Sequence, residues 1–205
     1  MSTTKKENTV LIDVPMPIET PRLVIRPVMP NDGAVMSEAA TETLDDLKKW
    51  MIWVNEGTDP DHMETVARKG YAKFILREDI FLTGIEKATG RHVLWTGLHR
   101  FDWTTRRFNI GYWVSKSAQG KGYATEAANA LTRYAFNALA ARHVVIEHAQ
   151  GNEASRHIID KLGFVKEGVL GGDIALPDGT FAARHVYART DDKGLPPLAV
   201  KWGLS

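Results

Sequence analysis

The chain has 205 residues, 43% hydrophobic and 25% charged, a size and balance that fit one globular domain with a full apolar core. Its 26 basic and 25 acidic residues leave a net charge of +1, which argues against nucleic acid as the main partner because phosphate binding needs a basic excess. The lack of cysteine excludes disulfides, thiolate nucleophiles and thiolate metal sites.

The N-terminal segment is polar and then proline-spaced, which predicts a flexible arm over residues 1–18. No apolar stretch follows Lys5 and Lys6, so the segment does not resemble a signal peptide. No apolar run approaches the roughly 18 residues that a membrane span needs. We therefore expect a cytoplasmic protein.

The first predicted element is a short strand at 23–26, which lies between two prolines. Asn31 or Asp32 could cap a helix. Apolar residues at helical spacing predict one helix over 44–54 and another over 63–74. Apolar runs then predict three strands, at 80–86, 93–100 and 108–114.

Helical spacing returns after Gly122, and a short β-branched strand follows at 144–146. Another helical stripe begins at Ala154 and stops at Gly163, and two closing strands are predicted at 165–169 and 181–189. The strand–helix–strand order in the middle predicts a right-handed crossover between two parallel strands, whereas the other strands are expected to be antiparallel.

The domain predicted from this order spans 19–190, and residues 191–205 are predicted to form an extended tail. The tail contains Pro196 and Pro197. It could dock on its own domain or on a second subunit, or it could be a partly disordered end.

The most informative segment joins the strand ending at Val114 to the helix that follows Gly122. The first turn of a helix has unpaired N–H groups and a partial positive charge, and both favour a phosphate. Gly120 and Gly122 leave these amides uncovered. An ordinary glycine-rich turn is an equally good interpretation of the glycines alone, and neither the Walker A nor the dinucleotide-binding pattern is present.

Residues 119–124, Q-G-K-G-Y-A, fit the pattern Q/R-x-x-G-x-G/A, and they resemble the acetyl-CoA signature of the GCN5-related N-acetyltransferases (GNAT). The surrounding G-Y-W-V-S-K-S-A-Q-G-K-G-Y-A-T-E-A is similar to the RimJ/RimL branch, whose named members acetylate protein N-termini. The resemblance continues at T-P-R-L-V-I-R-P, N-E-A-S-R and L-G-F-V-K-E-G. It implies an α/β (α+β) fold with a mixed, mostly antiparallel sheet, a splayed pair of parallel strands at the acetyl-CoA cleft, and helices on both faces.

The resemblance also implies acetyl-CoA as the acetyl donor. Backbone amides from Gly120 to Thr125 would hold the pyrophosphate, the strand before the turn would pair with the pantetheine arm, and a backbone N–H near Val114 would stabilise the oxyanion. Lys116 or Lys121 could add charge near a phosphate, although solvated side chains are the simpler interpretation. The candidate cofactor-binding residues are Tyr112, Trp113, Val114, Gln119, Gly120, Lys121, Gly122, Tyr123, Ala124, Thr125 and Asn152.

Asn152 and Ser155 open the last predicted helix, where an Asn is ordinarily an N-cap. The resemblance implies that Asn152 contacts the pantetheine arm and that Ser155 protonates the leaving thiolate. RimL-like members have a Glu as base after the penultimate strand, and the nearest acid here is Asp173, which could equally be a turn residue. Trp50 and Trp53 resemble an aromatic pair beside the acceptor groove, or they could be core residues.

We therefore predict an acetyl-CoA-dependent N-acetyltransferase that acts on a primary amine. A protein or peptide N-terminal α-amine is the first choice, by resemblance to the members that acetylate ribosomal proteins. The alternatives are a small-molecule amine, such as an antibiotic, a polyamine or a nucleotide conjugate, and a non-catalytic CoA-binding module. The histidines lack a shared metal-ligand spacing, so we predict no metal. A homodimer is left open.

Overall fold

The computed structural model describes residues 8–203. Within this range, five α-helices flank a single sheet of nine strands. The helices are α1 Gly33–Glu42, α2 Leu44–Leu47, α3 Pro60–Leu76, α4 Tyr123–Ala138 and α5 Glu153–Lys161. The strands are β1 Ile18–Glu19, β2 Leu23–Pro27, β3 Ile80–Glu86, β4 His92–Asp102, β5 Arg107–Val114, β6 His143–Ala149, β7 Val165–Ala175, β8 Phe181–Arg189 and β9 Lys201–Trp202. Their order across the sheet is β7-β8-β6-β5-β4-β3-β2-β1-β9.

The sheet is mixed, since β5 and β6 are parallel and every other neighbouring pair in the register is antiparallel. Helix α4 makes the crossover that a parallel pair requires. Pairing between β5 and β6 ends at Ile110 and Ile146, although β5 continues to Val114 and β6 to Ala149. The two strands therefore diverge at their carboxyl ends, which confirms the predicted splayed pair. We call the gap between them beyond Ile110 and Ile146 the splay.

Two apolar cores lie on the two faces of the sheet. The larger contains Phe108, Leu131 and Tyr134, and it joins the sheet to α4 and α5. The smaller contains Met36, Met63 and Trp95, and it joins the other face to α1 and α3. Buried alanines of α4 allow that helix to approach the strands closely.

The prediction of one helix over 44–54 is wrong. The segment contains one α-helical turn, Leu44–Leu47, and a 3-10 helix at Ile52–Glu56, separated by an extended residue, Met51. A longer helix, α1, precedes them. Leu47 and Val54 are buried on the smaller core, whereas Ile52 is 53% exposed. Two short pieces therefore bury the residues whose spacing predicted one helix.

Both ends of the described range pack against the domain. Of the predicted arm and tail, residues 1–7 and 204–205 lie outside the described range. Before β1, Val14 is buried. The tail crosses α4, where the side-chain amide of Asn129 donates to the carbonyl of Pro196 at 2.9 Å. It ends in β9, which pairs with β1 and places Trp202 edge-on against Tyr134. No helix within 8–203 is long and apolar enough to cross a membrane.

Candidate active site

The glycine turn after β5 has the backbone conformation that the sequence suggested. Gly120 and Gly122 have φ angles of 73° and 82°, in the left-handed region that other residues resist. Gly122 is the N-cap of α4, and no side chain of residues 8–203 caps the first amides of that helix. A Cβ at Gly120 would meet nothing within 4 Å. Uncovered amides at the positive end of a 16-residue helix fit a pyrophosphate well.

Arg22, which the sequence reasoning did not single out, supports this turn. Its Nη1 donates to the carbonyl of Lys121 at 2.8 Å, and its guanidinium lies over the ring of Tyr123. Its Nε pairs with Glu126 in the first turn of α4, and the hydroxyl of Thr20 donates to the same carboxylate. The corner between β1 and β2 thus fixes the start of α4 and places a cation beside it.

Lys116 and Gln119 contact α2 instead of standing free near the turn. The ammonium of Lys116 pairs with Asp46, and the side-chain amide of Gln119 lies 3.4 Å from the carbonyl of Val114 and 3.5 Å from Asp46. Hydrogen bonds from Lys116 and Lys49 lower the pKa of Asp46 to about 2. The charge of Lys116 is therefore balanced by a carboxylate.

Tyr112 and Ser155 meet at the mouth of the splay. Asn152 is the N-cap of α5, and its side-chain oxygen accepts from the Ser155 amide at 3.1 Å. This cap directs the Ser155 side chain toward β5, where its Oγ lies 2.9 Å from the hydroxyl of Tyr112. Burial raises the pKa of Tyr112 to about 12, although the bond to Ser155 acts in the opposite direction. Tyr112 therefore stays protonated at neutral pH, and either hydroxyl can donate in its pair with Ser155.

The opposite face of the sheet has an aromatic group beside the splay. Trp95 and Trp113 pair across β4 and β5 with their rings stacked at 4.3 Å, and Trp53 lies 5.8 Å from Trp113. Trp50 lies against Gly151, since a Cβ there would be 3.7 Å from its ring. Both Trp50 and Trp53 are partly exposed.

The segment between α2 and α3 bridges the two halves of the sheet over this face. Val54 packs in the smaller core on the β4 side, whereas Trp50 reaches the loop between β6 and α5. The side-chain amide of Asn55 also donates to the carbonyl of Pro177, in the turn between β7 and β8, at 3.0 Å. This face of the sheet beside the splay, which we call the groove side, is therefore covered at two points.

Asp173 lies on β7 in a network of ion pairs. Its carboxylate accepts a hydrogen bond from Arg184 of β8, and Arg184 also pairs with Glu147 of β6. Glu147 pairs with Arg100 and Arg107 as well. Burial alone would raise the pKa of Glu147, but the hydrogen bond from Arg184 and the charge of Arg100 outweigh it and lower the pKa.

Of the predicted donor-side residues, Tyr112 on β5 and Ser155 on α5 are in contact, and the glycine turn lies at the start of α4. The arginine and acid network comes from five separate strands, and no local pattern in the sequence indicated it. Within residues 8–203 no cluster of His, Asp or Glu side chains could hold a metal ion.

Comparison with known proteins gives one family. The acetyltransferase (GNAT) domain matches residues 22–165. "Putative ribosomal N-acetyltransferase YdaF" of Bacillus subtilis (strain 168) is 33% identical over 153 residues, which are 71% of this chain and 79% of that protein. RimL, a ribosomal L7/L12 alpha-N-protein acetyltransferase solved with coenzyme A, has a TM-score of 0.77 at 19% identity, over 85% of this chain and 99% of that one. MccE, a microcin C7 self-immunity acetyltransferase solved with acetyl-CoA and AMP, has a TM-score of 0.77 at 19% identity, over 83% and 93% of the two chains.

The fold and the cleft define an acyltransferase that uses acetyl-CoA as the acetyl donor. The chain belongs to the GNAT family, as the resemblance of residues 119–124 predicted.

Proposed function

We propose that the protein transfers an acetyl group from acetyl-CoA to the α-amine at the N-terminus of a protein or peptide. The observation that carries the proposal is the splay itself, which has an uncovered helix start and the Tyr112–Ser155 pair on one side and a bridged groove on the other. Donor and acceptor can then approach from opposite faces of the sheet and meet where β5 and β6 separate.

The donor side is supported by backbone groups. Gly120, Gly122 and the following amides would hold the pyrophosphate, with Arg22 fixing the turn through the Lys121 carbonyl. The edge of β5 from 112 to 114 no longer pairs with β6, so its backbone groups can bind the pantetheine arm as an added strand would. When bound there, acetyl-CoA supplies an activated acetyl group.

Ser155 would donate the proton that the leaving sulfur needs, and Tyr112 would support it. A thiolate is a better leaving group when an acid is positioned beside it. The phenol of Tyr112 remains protonated and can donate to Ser155 as the serine proton moves away. Asn152 holds Ser155 in place through the helix cap.

On the acceptor side, Trp50 and Asn55 reach across this face of the sheet at two points. The acceptor amine would enter between these contacts, and Trp53 and Trp113 would lie beside it. The names of YdaF and RimL point to ribosomal proteins as acceptors of those enzymes, and such an acceptor would place this enzyme in the cytoplasm. Asp173 stays a prediction for the base, although it is already bonded to Arg184.

The test measures thiol release from acetyl-CoA with a panel of amines. Lysine-free peptides with a free α-amine are expected to turn over, and the same peptides with an acetylated N-terminus are expected to be inert. Turnover with spermidine, an aminoglycoside or an aminoacyl nucleotide but with no peptide would overturn the acceptor assignment. Binding of acetyl-CoA by calorimetry without any turnover would instead indicate a non-catalytic module.

A further inference from the structure

A second polar pair lies at the splay, on the groove side of the sheet. Nδ1 of His99, on β4, lies 2.9 and 3.1 Å from the two carboxylate oxygens of Asp79, which immediately precedes β3. A carboxylate can only accept, so in the neutral ring the proton is on Nδ1. The pair therefore fixes the tautomer and leaves Nε2 with its lone pair available.

Two glycines provide the space for this imidazole. A Cβ at Gly97 would lie 2.6 Å from Nε2 of His99, and a Cβ at Gly111 would lie 3.5 Å from it. The ring therefore reaches across from β4 to β5. Gly111 is the first residue of β5 beyond the last pair with β6, so Nε2 lies at the point where the strands separate. The side chain is 30% exposed, which gives a proton a route to water.

The imidazole lies on the opposite face from Ser155. Gly97 pairs with Gly111 and Thr96 with Tyr112, and neighbouring residues of a strand point to opposite faces. Tyr112 contacts Ser155 beside α5, whereas His99 lies on the face of Trp113 and the bridged groove. A proton donor and a proton acceptor thus flank the splay from its two sides.

Glu147, a carboxylate on the groove side, is a poorer proton acceptor. Burial acts to raise its pKa, but the hydrogen bond from Arg184 and the charge of Arg100 outweigh burial and lower it. Stabilising a carboxylate as an anion weakens it as a base. In His99, by contrast, Nδ1 pairs with Asp79, and Nε2, which lies over Gly97 and Gly111, makes no hydrogen bond to residues 8–203.

We infer that His99, oriented by Asp79, is the general base that takes the proton from the acceptor ammonium. This inference rests on the proposed function. The proton passes from the ammonium to Nε2 and then to water, and Asp79 stabilises the imidazolium. The nitrogen lone pair forms the C–N bond, the C–S bond breaks with its electron pair on sulfur, the nitrogen loses a second proton, and the sulfur gains one. Each turnover releases one net proton.

The deciding variant is His99→Asn, whose side-chain amide can keep the bond to Asp79 but has no counterpart of Nε2. With a lysine-free peptide, kcat is expected to fall by about a hundredfold at pH 7 while acetyl-CoA affinity changes less than about twofold. The deficit should shrink toward pH 9, because an α-amine with a reference pKa of about 7.7–8.0 is then already neutral. The other charged groups on this face, Arg100, Arg107, Glu147 and Arg184, pair with one another and are unchanged in the variant.

His143 provides the matched control. It also pairs with a carboxylate, since its Nε2 lies 2.8 Å from Glu167, but it stands at the opposite end of β6 from the splay. His143→Gln should leave kcat unchanged. A fall of less than about tenfold for His99→Asn, or a deficit of equal size at pH 7 and pH 9, would overturn the inference.

A second readout does not depend on turnover. At a pH where the ring is neutral, nitrogen-15 spectra of the histidine rings should show the proton of His99 on Nδ1 in the wild type, and a mixture of tautomers in Asp79→Asn. A bare Nδ1 in the wild type would overturn the inference even if the enzyme were active. An absence of any thiol release by the wild type would instead count against the proposed function.

Discussion

The hydroxyl of Tyr112 lies 2.9 Å from Oγ of Ser155, which joins the middle of β5 to the first turn of α5. The two residues are 43 positions apart in the chain. They meet because α5 follows β6, and β6 no longer pairs with β5 beyond Ile146. The contact couples a protonated phenol to the serine nearest the cleft. It therefore places two hydroxyl groups, one from β5 and one from α5, together beside the splay.

Removing either hydroxyl should slow the reaction without weakening donor binding. Ser155→Ala is expected to lower kcat by about tenfold to a hundredfold, because the leaving sulfur loses its acid, with the acetyl-CoA dissociation constant unchanged. Tyr112→Phe should have a smaller effect in the same direction. Tyr71→Phe, whose hydroxyl makes no hydrogen bond within 8–203, is the control. Full kcat in Ser155→Ala would exclude this serine from the chemistry.

Gly120→Ala and Gly179→Ala form a matched pair. Both glycines have left-handed φ angles, 73° and 85°, and a Cβ at either would meet nothing within 4 Å. Each substitution should lower the free energy of unfolding by about 1–2 kcal/mol through backbone strain alone. Only Gly120→Ala should weaken acetyl-CoA binding in a calorimetric titration. Equal affinities in the two variants would show that the turn does not hold the pyrophosphate.

The pairing of Asp46 with Lys116 predicts a pH dependence of stability. Lys116 and Lys49 lower the folded-state pKa of Asp46 from 3.8 to about 2, so the unfolded chain binds the proton more tightly. The stabilisation is fully present above pH 4 and is lost as pH falls toward 2. Urea midpoints measured from pH 5 to 2 should fall less steeply for Asp46→Asn than for the wild type. Parallel curves would contradict the assignment, and high salt should reduce the difference.

The C-terminal segment is expected to stabilise the domain. Trp202→Ala removes the ring that packs edge-on against Tyr134, beside the pairing of β9 with β1. The free energy of unfolding should fall by about 1–2 kcal/mol, since the ring is partly buried. Phe181→Ala is the control, because Phe181 is 70% exposed and its loss should cost under about 0.5 kcal/mol. A Trp202→Ala protein as stable as that control would show that the segment adds nothing.

Local sequence patterns predicted the elements that depend on apolar periodicity and the turn that depends on left-handed backbone angles of glycine. The strands over 80–114 and helix α4 follow from apolar spacing, and the turn at Gly120 and Gly122 follows from glycine chemistry beside a helix start. The segment over 44–54 was predicted wrongly because its apolar spacing satisfies two short helical pieces as well as one helix. Local spacing does not record where an extended residue such as Met51 interrupts a helix.

The sequence by itself determined the family and the glycine turn before α4, because the signature at 119–124 lies on consecutive residues, which are visible in a sequence. Ser155 was also predicted by resemblance, and only the tertiary structure decided its partner and the other side-chain pairs. Tyr112 meets Ser155, and His99 meets Asp79, across strands and helices far apart in the chain. Arg22 reaches the turn from 99 residues away. Such contacts depend on strand order and on where β5 and β6 separate, which sheet pairing sets and local spacing does not.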